Sequence, residues 1–88
     1  MDASEKCTKS AIQPSQVRAA RALIGWSFDR LAAESGVARR TLVRFEAGEP
    51  GVKPATLEVI CTTLERAGVA FIAENGGGPG VRLQKEPD

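Results

Sequence analysis

The sequence contains no histidine and only two cysteines among its 88 residues. Histidine is the commonest general acid or base of enzymes and a frequent zinc ligand, so its absence argues against both kinds of site. Cys7 and Cys61 are too far apart in sequence to match a metal-binding spacing, and two cysteines do not make a disulfide framework. We therefore predict no enzymatic activity, no metal and no cofactor.

Long apolar runs are also absent, and no stretch approaches the ~18 apolar residues of a membrane-spanning helix. The first residues, MDASEKCTKS, lack the apolar core of a signal peptide. These absences predict a cytoplasmic protein in a reducing compartment, without membrane association. Cys61 lies among apolar residues at helical spacing, which favours a small buried side chain over a redox-active thiol.

The formal net charge of +1 hides an uneven distribution of charge along the chain. Residues 17–45 contain six arginines against two acidic residues, whereas residues 46–88 contain four basic residues against seven acidic ones. A basic first half is typical of a protein with one DNA-facing end and a different role at its other end. A chain this short forms one domain and buries only about 60% of its unfolded surface, so a dimer interface would add to its stability.

The most informative stretch covers residues 28–47 and reads FDRLAAESGVARRTLVRFEA. It splits at Gly36 into two short helical patterns. In the second pattern, steps of about 100° per residue place Leu42 and Phe45 on one side of the helix. The opposite side carries Arg39, Arg40, Val43 and Arg44. Two helices joined by a tight glycine-containing turn, the second with a basic outer face, are the pattern of a DNA-binding helix-turn-helix.

The rest of the chain supplies further helices around this pair. Residues 1–13 show no periodicity and are predicted to be a flexible tail. The first helix begins at Pro14 and ends at Gly25, and Ser27 caps the second helix. The apolar residues that face inward from the first helix are Val17, Ala20, Leu23 and Ile24. A fourth helix begins at Pro54 and ends near residue 67, so residues 14–68 are predicted to form one mainly α-helical domain.

After residue 68 the apolar period changes from helical to alternating. Residues 69–74 and 81–83 are predicted strands, and the glycine-rich segment between them is a turn. A lone hairpin is marginally stable in water and has open edges, so pairing with a second chain would solve both problems. We therefore expect residues 69–84 to be a dimerisation element, followed by a polar tail at 85–88. The predicted dimer contacts are Val69, Phe71, Ile72, Val81 and Leu83.

Over about residues 16–69 the chain resembles the XRE, or Cro/C1-type, helix-turn-helix regulators of bacteria, which are similar to phage repressors. The resemblance rests on Leu31-Ala32, Gly36-Val37, Thr41-Leu42, Phe45-Glu46 and Gly48 at the family's spacing. It implies a phage-repressor-like domain of four to five helices, to which the C-terminal β-hairpin predicted from the alternating pattern is joined. It also implies a transcriptional repressor that binds double-stranded DNA as a homodimer, with the third helix in the major groove.

The resemblance further implies which residues contact DNA. The first residues of the third helix read base edges in that family, which here falls on Arg39, Arg40 and Arg44. A solvated basic face is the alternative. Arg40 and Arg44 each offer a fork of donors that suits guanine or phosphate, and the sequence does not decide between them. The residues expected to contact phosphate are Ser27, Arg30, Thr41 and Lys53.

Two further expectations come from comparison with the family pattern. Arg21 and Glu46 match positions that form a structural ion pair in phage-repressor relatives. At the start of the second helix the family commonly has glutamine, which grips a phosphate, but this chain has Phe28. Phe28 has three open alternatives: it packs on Trp26, on a sugar or on a partner subunit. Trp26 itself is expected in the core.

The main alternative function belongs to another class. An antitoxin-like or adaptor protein would use the C-terminal strands to bind a protein partner, because an exposed sheet edge accepts an added strand. The operator sequence, the target genes and the choice between repression and activation are not determined by the sequence.

Overall fold

The computed structural model describes residues 11–74 and 76–84. Predictions for residues 1–10, including Cys7, and for the tail at 85–88 lie outside the described residues. The described elements, in chain order, are α1 (Pro14–Ile24), α2 (Phe28–Ser35), α3 (Arg39–Glu46), α4 (Pro54–Arg66), β1 (Val69–Ile72) and β2 (Gly80–Leu83). The two strands pair antiparallel, so the prediction of a mainly α-helical chain with a C-terminal β-hairpin is confirmed.

The ends of the helices follow from local chemistry. Prolines occupy the first positions of α1 and α4, where the missing N–H has no partner to lose. The Ser27 hydroxyl accepts a hydrogen bond of 3.0 Å from the backbone N–H of Arg30 and caps α2 as predicted. Gly36 ends α2 at φ 76°, a left-handed conformation that glycine adopts without steric strain.

The core is formed by the four helices together with β1. Its fully buried apolar side chains are Val17, Ala20, Leu31, Leu42, Ile60, Cys61, Leu64 and Val69. Cys61 is therefore a buried apolar residue, as predicted. None of the described helices combines the length and the apolar composition of a membrane-spanning segment.

Two predictions about the start of the chain are wrong. The absence of periodicity predicts a flexible tail over residues 1–13, but the Ile12 side chain is only 4% exposed and packs in the core. The helical spacing predicts Leu23 on the inward stripe of α1, but Leu23 is 42% exposed. Leu23 lies about 60° around the helix axis from Ala20, beyond the edge of the buried stripe. Gln16 lies on the same side as Leu23 two turns earlier, and it is buried because the hairpin contacts it there.

The hairpin is docked on the helices rather than standing alone. β1 packs against α4, and β2 packs against α1. The Gln16 side-chain amide donates hydrogen bonds to the backbone carbonyls of Gly80, at 3.0 Å, and Ile72, at 3.4 Å. The hairpin therefore does not need a second chain for its stability, because α1 and α4 already cover one face of the sheet.

This docking corrects the predicted dimer contacts. Val69 and Phe71 are buried in the core of the chain itself, so their side chains are not accessible to a partner subunit. Val81 is the cross-strand neighbour of Phe71 and also packs against that core. Ile72 is half-buried and Leu83 is 54% exposed, so these two remain open to a partner.

Candidate nucleic-acid interface

The candidate interface is built on α3, whose two faces differ as the sequence predicted. Leu42 is fully buried and Phe45 is 7% exposed, and these apolar residues attach the helix to the core. The arginines at positions 39, 40 and 44 are all exposed on the surface. A short helix with one anchored face and one arginine-rich face has the chemistry to bind an anionic polymer.

An ion pair attaches α3 to α1. The Arg21 guanidinium donates from Nε to Glu46 Oε2 at 2.6 Å and from Nη2 to Oε1 at 2.8 Å. A third donor, Nη1, bonds the backbone carbonyl of Trp26 at 3.0 Å. Only 16% of the Arg21 side chain and 5% of the Glu46 side chain are exposed. The pair that the family resemblance implied is therefore present and largely buried.

Glu46 also raises the pKa of Arg21. The hydrogen bond from Arg21 to the Glu46 carboxylate is the largest cause and favours the charged guanidinium, while burial acts in the opposite direction. Arg18 adds a second tie to α3, because its Nη2 donates to the backbone carbonyl of Glu46 at 2.6 Å. Two arginines of α1, Arg18 and Arg21, thus bind the same residue of α3, Glu46, and hold the orientation of α3 on α1.

Phe28 contacts two guanidinium groups. The Arg21 Cζ atom lies 4.0 Å from the centroid of the Phe28 ring, and the Arg39 Cζ atom lies 5.6 Å from it. Both distances are within the range of a cation–π interaction. Trp26 is half-buried against the core, and the guanidinium of Arg30 lies 4.6 Å from its ring. The sequence offered packing of Phe28 on Trp26, a sugar or a partner, and it did not indicate the contact with Arg21.

Two exposed arginines of α3 form ion pairs that the sequence pattern does not predict. Arg39 Nε lies 2.8 Å from Asp29 Oδ1, which joins the start of α2 to the start of α3. Arg44 Nε donates to Glu49 Oε1 at 2.8 Å, which joins the last turn of α3 to the loop that follows it. Among the described residues Arg40 forms no ion pair. The Arg39–Asp29 and Arg44–Glu49 pairs do not have the i,i+4 spacing by which ion pairs within a helix are recognised in a sequence.

The predicted phosphate contacts fall into two groups. Thr41 and Lys53 line a cleft of about 500 Å³ beside α3, together with Arg44 and Glu49. Arg44 and Glu49 also line a neighbouring cleft of about 650 Å³, in which the other two α3 arginines lie. These clefts share two residues and form one continuous surface, which we call the α3 surface.

The second group, Ser27 and Arg30, lies at the beginning of α2. The Ser27 hydroxyl is engaged in capping α2, and Arg30 forms an exposed ion pair with Glu34 at 3.0 Å. Neither residue lines the two clefts of the α3 surface. Ser27 and Arg30 lie near the α3 surface because the Asp29–Arg39 ion pair places the first turn of α2 next to α3.

The α3 surface carries both basic and acidic groups. Its cations are Arg39, Arg40, Arg44 and Lys53, and its carboxylates are Glu49 and the neighbouring Asp29. Among the described residues, no three His, Cys, Asp or Glu side chains come together to hold a metal ion.

No model of a known protein family matches the chain. A comparison with curated protein sequences also finds no match. The resemblance to XRE-type regulators therefore remains a prediction from the residues that carry it.

Proposed function

We propose that the chain is a sequence-specific DNA-binding transcriptional regulator of the cytoplasm, acting as a repressor. The observation that carries the proposal is the division of α3 into a buried apolar face and a face with three exposed arginines. The proposed fold is phage-repressor-like, with α2, the turn at Gly36 and α3 as its helix-turn-helix. A helix of this kind fits the major groove of B-DNA, which is wide enough to admit it.

The chemistry of the α3 surface suits both components of DNA recognition. An arginine guanidinium matches the O6 and N7 acceptors of guanine with two parallel hydrogen bonds, and in this proposal Arg39, Arg40 and Arg44 would read bases in that way. Thr41 and Lys53 line the adjoining cleft and would contact phosphates there. The backbone N–H groups at the start of α2, near Ser27, and the side chain of Arg30 would add phosphate contacts.

A homodimer completes the proposal, because two copies of α3 would then read two half-sites about 34 Å apart or a multiple of that distance. Within the described residues the sheet has only β1 and β2, so each strand has an unpaired edge. An unpaired edge can add a strand from a second copy, and the accessible side chains there are Ile72 and Leu83.

The same open edges support a second candidate of another class, an antitoxin-like or adaptor protein. In that case a segment of a different protein would add to β1 or β2, and DNA binding would be secondary. The mass in solution separates the two candidates. A stable dimer favours self-pairing, and a monomer leaves the edges accessible to a partner.

The proposal is tested by selecting duplexes from a randomised library with the purified chain. The selected duplex and a random duplex are then titrated at two salt concentrations. We expect the selected duplex to bind about 10³-fold more tightly or better, with an affinity that falls steeply with salt. Weak and equal binding of both duplexes would reject the proposal and favour a protein partner.

A further inference from the structure

We propose that Asp29 and Glu49 are positioning residues that set the sequence discrimination of the α3 surface. Each carboxylate holds the guanidinium of one arginine that is proposed to read bases, Asp29 that of Arg39 and Glu49 that of Arg44. This inference rests on the proposed DNA-binding function and concerns how the same surface distinguishes one duplex from another.

Both carboxylates contact the same atom of their arginine. The contact is to Nε at 2.8 Å in each pair. A guanidinium has five N–H donors in a rigid plane, with Nε on its side edge and the two Nη atoms on its end. A carboxylate at Nε therefore leaves the end of the guanidinium with donors for a second, bidentate partner. Guanine, with its O6 and N7 acceptors, is such a partner.

The two pairs restrain α3 at opposite ends. Arg39 begins the helix and is held from α2, whereas Arg44 lies in the last turn and is held from the following loop. Arg39 is restrained further by the Phe28 ring, whose centroid is 5.6 Å from its Cζ atom. A long side chain that is already held in place loses less conformational freedom when it binds, so these contacts favour base recognition.

The carboxylates also oppose non-specific binding. A phosphate that approaches Arg39 or Arg44 must either displace the carboxylate, which breaks an ion pair, or lie next to it, which brings two negative charges together. A base edge carries no net charge and approaches the end of the guanidinium without this repulsion. Asp29 and Glu49 therefore weaken binding to the backbone of any duplex more than they weaken binding to a guanine at the right position.

These exposed ion pairs should contribute little to the stability of the fold. Asp29 is 83% exposed and its partner Arg39 is 59% exposed, while Arg44 and Glu49 are 55% and 50% exposed. Ion pairs with this much exposure contribute little to stability. Neutral variants at both positions should therefore fold and melt close to the wild type, which separates a role in recognition from a role in folding.

The test uses the full chain with Asp29→Asn or Glu49→Gln, and two probes: the duplex selected by the wild type and a random duplex. Each variant should bind the random duplex more tightly than the wild type does. Each variant should also lower the preference for the selected duplex, measured as its affinity divided by that for the random duplex, by about fivefold or more. A fivefold loss corresponds to the lower end of the discrimination that a bidentate arginine–guanine contact contributes. The matched control is Glu58→Gln, because it makes the same change of charge at an exposed residue of α4. The control should change both affinities by one common factor.

Two further measurements identify the arginine through which Asp29 acts. In an Arg39→Ala background, Asp29→Asn should cause no further loss of discrimination, since the side chain it positions is gone. In the DNA-free protein, the Nε–H resonance of Arg39 should shift in Asp29→Asn and stay in place in Glu58→Gln. Unchanged discrimination in both neutral variants, with a wild type that does discriminate, overturns this inference alone. A wild type that does not discriminate overturns the proposed function and this inference with it.

Discussion

Arg21 grips the Glu46 carboxylate with two nitrogens, and this pair joins the last residue of α3 to α1. The helix needs such an external tie. It has only eight residues, and its N-cap, Ala38, offers no side-chain hydrogen bond. An isolated helix of that length is unstable in water, so its position depends on tertiary contacts. The ion pair and the buried residues Leu42 and Phe45 therefore determine where the exposed arginines of α3 stand.

Loss of the Glu46 carboxylate should destabilise the fold. We expect Glu46→Gln to lower the free energy of unfolding by about 3 kcal/mol, because the largely buried Arg21 charge loses its counter-ion. Urea unfolding of the full chain measures this change. Glu34→Gln is the matched control, because it disrupts the exposed pair with Arg30 and should cost no more than about 0.5 kcal/mol. Equal losses for the two variants would show that the Arg21–Glu46 pair is energetically like a surface pair.

The pKa of Arg21 predicts how this contribution depends on pH. Glu46 raises that pKa in the folded state. A raised pKa adds stability that is complete below the ordinary arginine value and is lost only as the pH rises through the raised value. The stability difference between the wild type and Glu46→Gln should therefore be the same at about pH 7 and at about pH 10. A difference that shrinks towards the higher pH would mean that Arg21 loses its proton much earlier than its contacts indicate.

Phe28→Leu should destabilise the protein by about 1 kcal/mol, because leucine keeps an apolar side chain but has no ring to face the guanidinium groups of Arg21 and Arg39. Thermal or urea unfolding measures the loss. Phe28→Tyr keeps the ring and should remain close to the wild type. If the leucine variant is as stable as the tyrosine variant, the ring–cation contacts contribute nothing measurable.

Gln16→Leu should loosen the docking of the hairpin. The substitution keeps the approximate size of the side chain but removes the amide. That amide donates to the carbonyls of Ile72 and Gly80 and also accepts the backbone N–H of Gln13 at the start of α1, so its loss should cost about 1–3 kcal/mol. Amide hydrogen exchange should rise in β1 and β2 more than in α2. The control is Gln84→Leu at an exposed position, where exchange should stay as in the wild type. Unchanged protection of the strands in Gln16→Leu would contradict the docking role.

Arg40→Ala and Lys53→Ala should weaken DNA binding in different ways. Arg40→Ala should lose about 1–3 kcal/mol of discrimination at one position of each half-site, because a bidentate base contact disappears. Lys53→Ala should weaken selected and random duplexes alike and reduce the salt dependence by about one counter-ion. Titrations of both duplexes at several salt concentrations distinguish these outcomes. Equal losses on both duplexes for Arg40→Ala would refute its role in reading bases.

The helices and their ends were predictable because their signals are local. Pro14 and Pro54 begin helices, Ser27 caps α2 through a residue three positions away, and Gly36 ends that helix. Such interactions form between residues close in sequence, whatever the rest of the chain does. The division of α3 into two faces was predictable for the same reason, because the helical period alone places its apolar and basic residues apart.

Burial at the edges of the core was less predictable. Ile12 lies before the first helix and shows no periodic pattern, yet it is buried, whereas Leu23 fits the helical stripe and is exposed. The burial of Val69 and Phe71 was equally unpredictable, because their alternation identified a strand but not the surface that covers it. Periodicity describes one element at a time, and burial depends on which other elements pack against it.

The order and faces of the elements were thus determined by the sequence, through steric preferences and hydrogen bonds within a few residues. The partners of the charged and aromatic side chains were decided by the tertiary structure. Asp29 meets Arg39, and Phe28 meets Arg21, only because α1, α2 and α3 come together around one core. An ion pair or a ring contact acts over a few ångströms in space and has no preferred separation along the chain, so these contacts could be found only in the folded molecule.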